Sequence, residues 1–423
     1  MRMLLSCWLL VSATVVAASE DVLRTKLQQA VAAVQQREAI QGVAAGVVTP
    51  DGAWTITAGE SHPGVSIRPD MMFGIGSNTK TLTALVLLRL QEQGLLDLDD
   101  RIGAHVPASP VIDTSITIRQ LLQHTSGLGE FAGGAQYRDS ILANLRRIWK
   151  PTEFISMIPA PQFAPGTSWS YCNTNYLLAG IIAERIGNAP YNVLLQREVF
   201  SRAGIDSMVL VPYDTLVGEL AHRWMGGRDA GAQPMQAEWS GAWAAGAVVS
   251  TAGQMARLYE ALFAGRVVNA ASMQEMLQFV APNDYGLGIS RKRLGGQTIV
   301  GHGGEIRGYS SVMVWVPSLK ASISVLTNQA ASNASAVADT IIRLLGAEVT
   351  SVQEQDVADG TSMYPCVARD VQGRVVGTLA SAHALATLPA GMYYLQSRSS
   401  MRCVCVLADG TVAYGRTTPA STR

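Results

Sequence analysis

The sequence predicts an α+β fold: an antiparallel sheet flanked by helices, with a helical subdomain and a small β-rich C-terminal extension. Two observations carry this. Strand patterns stand at both ends of residues 42–326, with a mostly helical stretch between them, so the sheet has to be assembled from distant parts of the chain. The composition, 48% hydrophobic and 15% charged with zero formal net charge, supplies a large core and no basic footprint for nucleic acid.

Residues 1–19 read as an export signal rather than as fold. Arg2 gives a short positive start, Leu4 to Val16 is mostly apolar, and Ala17-Ala18-Ser19 offers small residues for cleavage. The apolar stretch is too short for a membrane span, and no later segment reads as one. The expected location is therefore periplasmic or secreted, with residues 20–347 as the main domain and 348–423 as a linker and β-rich tail.

Leu23, Leu27, Ala30, Val31 and Val34 follow helical spacing. Gly42 to Val48, the Pro50-Asp51-Gly52 turn and Trp54 to Ala58 form a hairpin. An apolar helix runs over Leu82 to Leu90, and another over Thr174 to Ile186. Strands are expected at Tyr285–Ile289, Gln297–Val300, Ser310–Val316 and Ala321–Leu326, then a helix at Ser335–Leu345. Residues 348 to about 362 are polar and rich in turn formers, as a linker would be. Beyond them, Asp409-Gly410 signals a hairpin. Export permits disulfides, and Cys366 has Cys403 or Cys405 as candidate partners.

Ser77-Asn78-Thr79-Lys80 is the most informative stretch. Gly74 and Gly76 precede it and the apolar run follows. A serine at such a junction sits near free backbone N–H groups and the positive end of a helix, which favour a developing anion. Lys80, three residues on, shares a helix face with Ser77. The chain has five lysines, at 26, 80, 150, 292 and 320, and Lys80 alone has a serine three positions before it. Burial would lower its pKa and make it a base for the Ser77 hydroxyl. Tyr171-Cys172-Asn173 follows a Pro165-Gly166-Thr167 turn. Tyr171 can hold or pass a proton, while Asn173 offers a donor and an acceptor, or simply caps a helix. In Gly301-His302-Gly303-Gly304, at the start of a strand, the glycines mark a close backbone approach. An N–H just after them, at Glu305, would pair with that of Ser77 as an oxyanion hole. Six histidines lie without metal-ligand spacing, so no metal and no cofactor are expected.

These elements together resemble the serine beta-lactamase-like superfamily, which includes class C beta-lactamases, D-alanyl-D-alanine carboxypeptidases and related esterases. Its motifs Ser-x-x-Lys, Tyr-x-Asn and Lys/His-x-Gly occur in order at Ser77/Lys80, Tyr171/Asn173 and His302/Gly304. Residues 116–128 and 245–251 also look like the family, and the resemblance covers about 25–347. It implies an acyl-enzyme on Ser77, with Lys80 and Tyr171 sharing the base work; burial would depress Lys80 and a nearby ammonium Tyr171, a coupled pair in which the sequence leaves open which one holds the proton. Asn173 would hold the acyl-side amide, and Gly303, Gly304 and Glu305 would line the substrate strand. His302 would support Tyr171 electrostatically or bind an anionic group, with Arg291 or Arg293 as further sources of charge. The partner implied is a small peptide, beta-lactam or ester, with carboxypeptidase or beta-lactamase chemistry ahead of two alternatives, a carboxylesterase and an inactive exported binding protein.

Overall fold

The computed structural model describes residues 22–358 and the strands of the C-terminal region. The export signal expected over 1–19 and the Asp409-Gly410 turn lie outside the described residues, as do the side chains of Cys366, Cys403 and Cys405. The chain divides into two compact units, at Leu344/Leu345.

In the first unit, helix α1 (22–37) leads into the hairpin β1 (Gly42–Thr49) and β2 (Gly52–His62). Its register, Val43 opposite Ala58 and Thr49 opposite Gly52, is the one the Pro-Asp-Gly turn requires. Strand β3 (Val65–Ser66) extends one edge. The other half of the sheet comes from β4 (Ser290–Leu294), β5 (Gln297–Ile306), β6 (Tyr309–Val316) and β7 (Ala321–Thr327). The order is β3-β2-β1-β7-β6-β5-β4, with every pair antiparallel. First and last strands thus meet at β1 and β7, as the split pattern predicts.

The helical part contains α2 (Thr79–Glu92), α3 (Ala135–Ala143), α4 (Asn173–Gly187) and α5 (Gln236–Gly246). Helix α2 is buried on every face from Thr79 to Leu88, so it is the central helix rather than a surface one. Helix α6 (Ala252–Phe263) lies on the sheet, where Ser322 and Ser324 of β7 donate to the carbonyls of Ala256 and Ala252.

Three expectations need correction. Tyr285–Ile289 is no strand: Leu287 N–H bonds Met276, Gly288 has φ +68°, and its carbonyl accepts from Thr81. Its apolar pattern reflects burial among helices, and the strand begins at Ser290. The glycine-rich motif lies late inside β5, not at a strand start. The presumed linker is helical to Ala358, as part of α7 (Ala334–Ala358). In the second unit, β8 (Cys366–Asp370), β9 (Val375–Leu379), β10 (Gly391–Gln396), β11 (Ser400–Val406) and β12 (Val412–Pro419) form a sheet of order β9-β8-β10-β11-β12.

Candidate active site

Ser77 sits in a tight helical turn, Gly76–Asn78, that runs directly into α2. The turn is tied down at both flanks. Asn78 donates from Nδ2 to Ser311 Oγ at 2.8 Å, and Ser311 donates to the Ile75 carbonyl at 2.7 Å. Gly76 has φ +51°, and a Cβ there would lie 2.6 Å from the Glu305 nitrogen. From the other side, a Cβ at Gly304 would lie 2.1 Å from the Ile75 carbonyl and 3.0 Å from the Ser77 nitrogen. The glycines therefore let the Ile75–Ser77 turn lie directly against the Gly304–Glu305 backbone, the close approach that an oxyanion hole built from the Ser77 and Glu305 N–H groups needs.

Lys80 is fully buried. Its Nζ donates to Ser77 Oγ at 2.9 Å, Asn173 Oδ1 at 2.8 Å and the Ala245 carbonyl at 2.8 Å. That carbonyl is available because α5 breaks at Trp243, which leaves Ala244 and Ala245 to accept from Thr83 and Lys80. Burial pulls the Lys80 pKa down to about 7, against a smaller opposing pull from the Glu130 carboxylate. An amine that ionises near neutrality beside a serine hydroxyl is equipped to take its proton.

Tyr171 stands at the cleft rim, 37% exposed as a residue, with its hydroxyl turned into the site. Enclosure of that hydroxyl raises its pKa above the usual phenol value, and the hydrogen bond to Ser77 only partly offsets this. The expectation of an acidified Tyr171 is thus corrected: it stays a protonated phenol, because burial of its hydroxyl and the nearby Glu130 carboxylate disfavour the phenolate. The tyrosine is positioned by the segment around His124, part of the family-like stretch 116–128. His124, with φ +63°, packs its ring 4.4 Å from that of Tyr171. Its Nδ1 accepts from Cys172 N–H at 3.2 Å and lies 3.0 Å from Asn175 Nδ2. Cys172 is buried and its thiol is pushed up to about 11, so it is no thiolate.

Sequence reasoning missed Glu130. Its Oε2 accepts from Asn173 N–H at 2.5 Å and from Nδ2 at 3.2 Å. This orients the amide so that Oδ1 faces Lys80. Tyr285 was also missed. It donates to His302 Nε2 at 2.8 Å, while His302 Nδ1 donates to the Gly303 carbonyl at 2.5 Å. Burial, with repulsion from Lys80, drives the His302 pKa down to about 3. His302 is thus a neutral imidazole with both nitrogens engaged, and the expected electrostatic or anion-binding role is corrected. Arg291 pairs with Asp284 and Arg293 donates to the Gly296 carbonyl. Lys292, between them, lines the cleft with Ser77, Tyr171 and His302 around a cavity of about 430 Å³. Among the described residues no group of side chains is arranged to hold a metal ion.

A sequence model of the Beta-lactamase family matches residues 27–348. The chain belongs to the beta-lactamase family. Within it, the chain is 25% identical over 353 residues to a D-aminopeptidase of Gluconobacter oxydans, across 81% of this chain and 66% of that protein. Penicillin-binding protein 4* of Bacillus subtilis is 29% identical over 146 residues, 33% of this chain and 31% of its own. The chain thus spans less than two thirds of the length of either relative. A crystal structure of a D-stereospecific amidohydrolase from Streptomyces superimposes with TM-score 0.67 at 27% identity, covering 75% of this chain and 97% of that one.

Proposed function

We propose that the protein is an exported serine amidohydrolase that forms an acyl-enzyme on Ser77 and cleaves amides of D-configured residues, as penicillin-binding D-alanyl-D-alanine carboxypeptidases do. One observation carries this reading: a buried amine with pKa about 7 hydrogen-bonded to both Ser77 Oγ and Asn173 Oδ1. Neutral Lys80 takes the Ser77 proton as Oγ bonds to the substrate carbonyl carbon. The Ser77 and Glu305 N–H groups hold the oxyanion. Collapse breaks the C–N bond, and the Tyr171 phenol delivers a proton to the leaving nitrogen, replenished from Lys80. Water then attacks the acyl group and restores Ser77.

The D-configuration rests on the likeness to the D-aminopeptidase and the D-stereospecific amidohydrolase. A leaving group bearing a carboxylate is supported by Lys292, a cleft-lining cation with no ion-pair partner among the described residues. This favours the peptide and beta-lactam forms of the chemistry over a simple ester. Intact-mass measurement after mixing with penicillin should show one acyl adduct on the wild type and none on Ser77→Ala. A folded wild type that gains no mass and leaves D-alanyl-D-alanine peptides intact would refute the reading.

A further inference from the structure

We infer that the leaving group of the substrate is a peptide of at least two residues, with an apolar side chain near its end and a terminal carboxylate held by Lys292. The inference rests on the acyl-enzyme reading above. With the acyl-side amide on Asn173 of the helical wall, the departing half of the substrate runs past Gly303 along the strand wall.

The strand register shows what lies on that path. Gly303, Gly301 and Ile299 alternate onto one face of β5. Val312 and Val314 of β6 stand opposite Gly303 and Gly301, while Lys292 of β4 stands opposite Ile299. The cleft cavity of about 430 Å³ that contains Ser77 and Tyr171 follows this face, where Gly303, Val312, Lys292 and Ser335 of α7 line it. A further cavity of about 130 Å³ shares those four residues and carries on to Ile299, Val314 and Leu294. Gly303 leaves the passage between them open, since a Cβ there would meet only the Ser311 carbonyl at 3.7 Å.

Distance along the strand sets the length of the leaving group. Gly304 lies against the Ser77 nitrogen, and Ile299, opposite Lys292, is farther back along β5 by about 16 Å at the rise of a strand. An extended lysine side chain recovers about 6 Å of that, which leaves its ammonium about 10 Å from the oxyanion site. One extended residue spans about 3.5 Å, so the carboxylate of a single-residue leaving group falls short of Lys292 and that of a longer one reaches it.

The chemistry at the far end fits such a terminus. Lys292 is exposed and has no ion-pair partner among the described residues, whereas Arg291 is engaged by Asp284 and Arg293 by the Gly296 carbonyl. Ile299, Val312 and Val314 beside it form an apolar surface that gains by covering a hydrocarbon side chain.

The test compares kcat/KM for three peptides with the same N-acyl-D-alanyl half, releasing D-alanine, D-alanyl-D-leucine or D-alanyl-D-leucine amide. The wild type should favour release of D-alanyl-D-leucine over D-alanine by about tenfold, and amidation should cost about tenfold. In Lys292→Gln the cost of amidation should shrink to less than about twofold, and in Lys292→Arg, which restores the charge, it should return. Gly303→Leu puts a side chain into the passage and should bring the ratio of the two free-acid peptides close to one. A wild type that treats the two free acids alike or prefers the shorter overturns the inference. So does an amidation cost of the same size in Lys292→Gln, and so does failure to cleave any of the three peptides. Penicillin acylation of Ser77 in that same sample would then leave the acyl-enzyme reading standing, which separates the two failures.

Discussion

The helical wall of the cleft joins Ser77, Lys80, Asn173 and Glu130 in one chain of side-chain hydrogen bonds, whereas the strand wall opposite presents Gly303, Gly304 and an imidazole with both nitrogens occupied. On the first wall side chains carry the proton chemistry. On the second the backbone is brought close where Gly303 and Gly304 carry no side chain, and the one imidazole there is neutral. The contrast follows from what each job requires. A base needs an ionisable group whose solvation has been removed. An oxyanion hole needs two N–H groups at fixed positions, which any side chain between the two backbones would spoil.

Breaking the helical wall should cost most. Lys80→Met removes the proton acceptor and should slow acylation by about 10²–10⁴-fold, read as the rate of mass gain with penicillin. The same variant tests the burial argument independently. Because the folded-state pKa of Lys80 is lowered to about 7 from 10.5, the unfolded chain holds the proton more tightly between those values. The destabilising cost is therefore full below about pH 7 and fades as pH rises toward the unfolded value. The melting temperature of Lys80→Met relative to wild type should be more favourable at about pH 6 than at about pH 9.5. A pH-independent difference would mean that Lys80 is not charged at the cost inferred here.

Breaking the strand wall should come next. Gly304→Ala adds a carbon 2.1 Å from the Ile75 carbonyl, a separation the backbone has to relieve by moving. That shift displaces the Ser77 turn from Glu305, and acylation should fall by about 10²-fold or more. Gly303→Ala is the control, since a Cβ there meets only the Ser311 carbonyl at 3.7 Å. Equal losses in both would show that the close approach at Gly304 is not what matters.

The two walls also differ in how far the sequence betrays them. Ser77 and Lys80 were legible because a three-residue spacing on a helix fixes a shared face, and because the apolar run after them announced burial. The hairpin was legible from its turn. Glu130 was not: nothing local marks a glutamate as the clamp on a side chain 43 residues away, and only the fold brings them together. Tyr285 was hidden inside an alternating apolar segment that imitates a strand, although its backbone bonds go to loops. The state of His302 was misjudged for a similar reason. Its spacing shows where it lies, but its neutrality depends on Tyr285 and on the nearby Lys80.

The finest test probes coupling within the helical wall. Glu130→Gln keeps an oxygen for Asn173 N–H but removes the carboxylate charge and brings an amide N–H₂ toward the Asn173 and Ala132 donors. Misplacement of Asn173 should cost between about 10- and 100-fold in kcat/KM. The pH profile gives the sharper readout. In the wild type, activity should rise with pH along one limb with a midpoint near 7, as Lys80 loses its proton. His302, neutral down to about 3, should add no limb of its own in this range. Glu130 stabilises the Lys80 ammonium, so removing its charge should lower the Lys80 pKa and move the limb to lower pH. A limb that stays in place would show that Glu130 orients Asn173 without being felt by the amine. A limb that moves upward would contradict the electrostatic account of this wall outright.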